Sequence, residues 1–288
     1  MAAASPDPSF AVDPARPLPG AGGGQPAFVV LDRHGAPSSL MAVRVAPALP
    51  PRAQALQALA GITDGILGPL AHGPGPEGAG AEAYYVLCPA PPGPALAAAS
   101  RAWGEAELLD CVLRPAAQAL VRLGARGITH RAIRPANVFQ AAPNQPVILG
   151  QAWAAPPAAL QPALFEPPYS AMCLPAGRGD GFIADDVYAL GVLLAVLALG
   201  RTPLDALDPV EVVRRKLEHG SFAAIVGEQR LPPMIGDLVR GMLAEDPEHR
   251  PTPTLLLDPA AARARRLAAR PPKRAQSPVR VGPWAVWD

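Results

Sequence analysis

His130-Arg131-Ala132-Ile133-Arg134-Pro135-Ala136-Asn137 is the stretch on which the reading of this 288-residue chain turns. Before it, Glu105 to Leu123 repeats apolar residues at helical spacing, with Leu108, Leu109, Val112, Ala116, Leu120 and Leu123 near one face. Pro115 predicts a kink in that helix, and Gly124 to Gly127 closes it. After it, Val147-Ile148-Leu149 reads as a short strand ending in Gly150-Gln151-Ala152-Trp153. The octapeptide is therefore a polar loop between a long helix and a strand. Ala132 offers the loop only a methyl group, which can accept no proton.

Working outward, the C-terminal side is strongly punctuated. Asp185-Asp186-Val187-Tyr188-Ala189-Leu190-Gly191 opens a helix that is apolar on all sides through Leu197, a pattern that predicts full burial. Asp208-Pro209-Val210-Glu211 is a helix start, with an Asp cap, Pro at the first position and an acid at the third. Val210, Val213 and Leu217 are expected on its buried face. Ile235, Leu238, Val239, Met242 and Leu243 form a further stripe, followed by Asp246-Pro-Glu-His-Arg250-Pro-Thr252. On the N-terminal side, Gly20-Ala-Gly22-Gly23-Gly24-Gln25 precedes the apolar run Phe28 to Leu31. Leu40 to Val45 and Ala83 to Cys88 read as strands, and Arg52 to Leu59 as a helix.

In this order the segments resemble a eukaryotic-type Ser/Thr protein kinase, from about Gly20 to Thr252. The octapeptide resembles the catalytic loop His-Arg-Asp-Leu-Lys-Pro-x-Asn, and residues 185–191 and 246–252 resemble two later signatures. The resemblance implies an α+β, two-lobed fold. A small β-rich N-lobe would span 20–92 and a larger helical C-lobe 93–262. A flexible arm is expected at 1–19 and a basic, proline-containing tail at 263–288. His130, Arg131 and Asn137 are the retained loop residues. Asp186 would brace the loop backbone, Gly191 would be a structural residue of the same signature, and Arg250 would pair an acid. The family's acid for Arg250 is missing, because Ala171-Met172-Cys173 stands where the family has Ala-Pro-Glu. Gly20, Gly22, Gly23 and Asn137 are the nucleotide-binding candidates, since glycines let backbone N–H groups approach phosphates.

The departures from the pattern all point one way. Ala132 replaces the Asp that takes the substrate proton, and Gln151 replaces the Asp that holds magnesium. A neutral amide is a poor ligand for a hard cation. Arg44 stands at the strand Lys, where a planar fork does not replace a point ammonium. The helix from Arg52 supplies no acid. With Cys88 as gatekeeper, Pro91 falls where adenine needs an N–H, and proline has none. The resemblance thus implies a pseudokinase, a catalytically inactive protein-binding scaffold with no metal site and no cofactor. The alternative is an active or weakly active Ser/Thr kinase that uses ATP and magnesium.

Composition sets outer bounds. The formal charge of +1 gives no global pull toward nucleic acid or anionic membrane. Cys88, Cys111 and Cys173 lack metal-ligand spacing, and Lys216 and Lys273 are the only lysines. No signal peptide is expected, and the run Ala189 to Leu199 is too short to span a bilayer. A cytoplasmic protein with protein partners, of open oligomeric state, is the expectation.

Overall fold

A computed structural model describes residues 11–78, 81–96 and 101–268. The strands β1 (Ala11–Pro17), β2 (Ala27–Leu31) and β3 (Pro37–Arg44) are followed by the short helix α1 (Ala53–Ala58). β4 (Ala71–Gly78) and β5 (Ala81–Pro89) complete one antiparallel sheet in the order β1-β2-β3-β5-β4. Successive strand residues face opposite sides. Met41, Val43, Val45, Val86 and Cys88 face the main core together with Leu56 and Leu59 from the α1 region. Val30, Ala42, Tyr85 and Leu87 build a second, small core with Phe28 and Leu40. The sheet curls until β1 meets β4, which closes that second core.

β1 departs from expectation. The Pro/Ala composition predicted a flexible arm through residue 19, yet Val12 pairs with Val30 in the sheet. Pro14 and Pro17 are tolerated because β1 is an edge strand, where a missing N–H interrupts no second ladder. Residues 1–10 of that arm lie outside the described residues.

The helical half starts with α2 (Glu105–Glu107), a π-helical stretch Leu108–Leu113 and α3 (Arg114–Gly124). The perturbation expected at Pro115 takes this form. Proline donates no N–H to the preceding turn, and the turn widens. The loop of interest follows, then the hairpin β6 (Val138–Gln140) and β7 (Val147–Leu149). A 3-10 turn at Ala163–Phe165 precedes α4 (Pro168–Ala171) and then α5 (Ile183–Leu199), whose residues Asp185 to Leu197 are all buried. The remaining helices are α6 (Pro209–His219), α7 (Ser221–Val226), α8 (Pro233–Met242), α9 (Pro253–Leu256) and α10 (Pro259–Ala268). Gly191 lets α8 lie directly on α5: a Cβ there would stand 2.8 Å from that of Met242.

The buried face of α6 differs from the expected one. Val210 and Leu217 are exposed, and Val212, Val213 and Lys216 are buried. The Lys216 ammonium fixes this rotation. It donates to the carbonyls of Ala163, Leu164 and Glu166 at 2.7–2.8 Å. Burial pushes its pKa down to about 7, opposed by Glu166 and Glu245. Asp208 caps the helix as read, accepting from Val210 and Glu211 N–H groups. Part of the expected basic tail belongs to α10, where Arg263 and Arg266 both bind Asp237. The rest of that tail, with Lys273, Trp284, Val286 and Trp287, lies outside the described residues. Among the described residues no helix is long and apolar enough to cross a membrane, and no three His, Cys, Asp or Glu side chains are grouped so as to hold a metal ion.

Candidate functional site

The loop 130–137 is held from below by α5. The carboxylate of Asp186 accepts from the N–H groups of His130 at 2.7 Å and Arg131 at 2.6 Å. Arg131 needs this support because its backbone is left-handed, with φ 59°. Asp186 is fully buried, and burial pushes its pKa up to about 6 against the pull of Arg131 and the two N–H groups. His130 donates from Nε2 to the carbonyl of Gly150 at 2.9 Å and stacks edge-on against Trp153. Its Nδ1 has no hydrogen-bond partner among the described residues. Burial first, then nearby Arg52 and Arg134, lowers its pKa to about 4, so the ring is neutral at physiological pH.

Arg131 is consumed by internal carboxylates. Its guanidinium binds Glu166 at 2.6 Å and Asp185 at 3.2 Å and donates to Ser170 at 2.9 Å, all buried. Asp185 also receives Arg250 at 3.2 Å. Asp185 is therefore the acid that answers Arg250 in place of the missing Ala-Pro-Glu carboxylate. One side chain joins two buried arginines, and the phenol of Tyr169 donates to it as well. The carbonyls of Ala184, Ala244 and Glu245 accept the rest of Arg250.

Above the loop, the glycine segment is seated directly on protein. Gln151 donates from Nε2 to the carbonyl of Gly22 at 2.5 Å, while its Oε1 accepts from the N–H groups of Trp153 and Ala154. Arg134 donates to the carbonyl of Gly23 at 2.7 Å and to Gln161 at 3.0 Å. Burial lowers the pKa of Arg134 to about 10, so it remains charged at neutral pH. Gln25 reaches the carbonyl of Ala154. Gly23 lies so close that an added Cβ would stand 2.5 Å from Asn137 Oδ1. That oxygen is buried without a hydrogen-bond partner among the described residues, and the Asn137 amide donates to the carbonyls of Ala132 and Gln151. The space left between Gly23, Ala132, Gln151 and Leu160 measures about 20 Å³, room for one water at most. Gly20 stands apart, with nothing among the described residues within 4 Å of a Cβ placed on it.

Two further positions correct the sequence reading. Arg44 faces away from the cleft: it lies over the ring of Phe28, opposite Tyr85, on the side of the small second core. Val43 is the β3 residue that faces α1 and the main core, so an apolar side chain occupies the place expected for a cation. Besides Arg134, a second cation crosses between the halves, Arg52, at the start of α1. It donates to the carbonyl of His130, to Thr129 and to Asp180, lies over Trp153, and is buried. Trp153 is fully buried and donates to the carbonyl of Leu67. Past Cys88 the N–H of Ala90 goes to Ser39, and the next two residues are prolines. Arg52, Arg134, Gln161 and Asp185 were missed as a set. The only trace in the sequence is that Arg134 stands at the basic position of the loop motif.

Laid over solved structures, the chain matches residues 1–466 of Rad53, determined in complex with AMP-PNP, with a TM-score of 0.63 over 88% of this chain. The fold is protein-kinase-like. Identity over that kinase-like match is 18%, and this chain spans 65% of the matched one. No family model and no curated protein sequence matches. In this kinase-like frame the β sheet and α1 form the N-lobe, and the helices from α2 onward form the C-lobe. The glycine segment and Gln151 meet where the lobes face each other.

Proposed function

We propose that this chain is a catalytically inactive pseudokinase that works as a protein-binding scaffold, its lobes held together by side chains in place of nucleotide and metal. The observation that carries the proposal is the seating of Gly22 and Gly23 on Gln151, Arg134 and Asn137. A triphosphate that approached the backbone of Gly22 and Gly23 would have to lift this segment off Gln151 and Arg134. The residues present also fit the group poorly. Gln151 brings no anionic oxygen to magnesium, Asn137 Oδ1 is packed against glycine, and Ala132 accepts no proton. The side chains of Gln151 and Arg134 and the amide of Asn137 are already used at the lobe contact. Such a unit presents a fixed surface, which suits binding rather than turnover.

The test is phosphoryl transfer from radiolabelled ATP to the protein itself and to a generic protein substrate. The proposal expects no incorporation above a heat-inactivated control. Incorporation that disappears in Asn137→Ala would overturn it and favour the active-kinase alternative.

A further inference from the structure

Among the described residues nine large apolar side chains are exposed, and four of them, Tyr169, Met172, Leu174 and Phe182, belong to the one segment that runs from α4 to the start of α5. Met172, Leu174 and Phe182 are 67%, 83% and 65% exposed. The segment is pinned at both ends to one carboxylate: the Tyr169 phenol and the Phe182 N–H both donate to Asp185. Between them Arg178 donates to the carbonyls of Ala158 and Gln161. The apolar side chains are thus held outward on a fixed backbone. Exposed apolar residues scattered singly need no explanation, but a group of them on one short segment marks a face that another chain covers.

We propose that residues 284–287 of this same chain dock on the face formed by Tyr169, Met172, Leu174 and Phe182. Trp284, Val286 and Trp287 put three large apolar side chains within four residues, enough to cover a small apolar face. The segment that carries them starts close by. Arg250 lines one groove with Arg265 and Arg266 of α10, and its guanidinium lies 5.8 Å from the centre of the Tyr169 ring. Residues 269–283, between α10 and Trp284, span up to about 50 Å when extended, so reach does not limit the contact. The opposite end of the chain fits less well: Phe10 is the only aromatic residue among the first ten, and it runs straight into β1 in the other lobe. At the effective concentration of about 1 mM that a covalent tether supplies, a contact with a Kd of about 0.1 mM is docked about ten to one. The docked residues hide this face from other proteins until a competitor displaces them.

The experiment is disulfide trapping in the full chain. Cys173 is exposed on this segment, while Cys88 and Cys111 are buried. Ala285→Cys places a thiol between the two tryptophans. Diamide should then join it to Cys173 within one chain, the two thiols giving up two electrons and two protons to the oxidant. The link, read by peptide mass, is expected in Ala285→Cys and not in Ser5→Cys, whose thiol is near the other end of the chain. Trypsin gives a second reading in the chain without the added thiol. Cleavage after Arg280 follows the undocked fraction, so Leu174→Asp, at an exposed position, should speed it by about tenfold. No link above the Ser5→Cys level, or an unchanged rate of cleavage after Arg280 in Leu174→Asp, would overturn the proposal. A disulfide between two chains would overturn it too, and would name a second copy as occupant. None of these readouts involves nucleotide, so this contact and the inactive-kinase reading fail or stand separately.

Discussion

Replacing Gly23 by alanine places a methyl group where the closed lobe contact leaves no room. The backbone there is left-handed, with φ 61°, and the new Cβ would stand 2.5 Å from Asn137 Oδ1 and 2.9 Å from the Gln151 carbonyl. Gly20→Ala is the internal control: φ is 75°, yet nothing lies within 4 Å. Both variants carry the left-handed penalty of a β-carbon, about 1–2 kcal/mol. Only Gly23→Ala adds overpacking, about 1–3 kcal/mol. Urea unfolding without nucleotide should therefore give losses of about 1–2 kcal/mol for Gly20→Ala and about 2–5 kcal/mol for Gly23→Ala. For a chain of this size the gap corresponds to about 2–12 °C in melting temperature. If the two variants melt together, the glycine segment is not seated on Asn137 and Gln151, and the closed-contact reasoning fails.

Other perturbations probe separate parts of the same network. Asp185→Ala leaves Arg131 and Arg250 without their shared carboxylate inside the protein and should cost roughly 3–5 kcal/mol in urea unfolding; a loss within error of zero would remove Asp185 from the account. For His130 the folded pKa lies below the unfolded one, so its contribution is complete above about pH 6.5 and is lost as pH falls toward 4. His130→Phe should accordingly be less stable than wild type at pH 7, and the difference should shrink by about 3 kcal/mol by pH 4. A pH-independent difference would mean that the imidazole titrates normally. Lys216→Met takes the ammonium from the carbonyls of Leu164 and Glu166 and leaves that of Ala163 with the Glu166 N–H alone, and it should lower the urea midpoint by the equivalent of about 2 kcal/mol or more. The double variant Ala132→Asp, Gln151→Asp should remain inactive in phosphoryl transfer, because Val43 brings no cation to the cleft; measurable turnover would contradict that.

How far the sequence carries the fold depends on what kind of constraint each residue obeys. The loop 130–137 and Asp186 were legible because backbone geometry ties them together: two N–H groups of the loop need one acceptor, and α5 supplies it. Side-chain direction was not legible where a single step changes the answer. Reading Arg44 as the cleft cation put it one residue from Val43, and in a strand one residue flips the face. On α6 the apolar count favoured Leu217, but the carbonyls of the turn 163–166 captured the neighbouring Lys216 instead. β1 was hidden by its prolines, which an edge strand tolerates. The partners of Arg131 and Arg250 come from segments 35 and 65 residues away, and no local pattern announces such pairings.

The most direct test is titration calorimetry of the full chain with AMP-PNP, with and without magnesium, followed by melting at the highest ligand concentration. The account predicts no saturable heat and no change in melting temperature in either condition. A ligand present at a hundred times its Kd stabilises by about 2.7 kcal/mol, or about 5–11 °C for a chain of this length. A magnesium-dependent rise of that size would show that the glycine segment lifts to admit nucleotide, and would contradict the claim that protein side chains have taken its place.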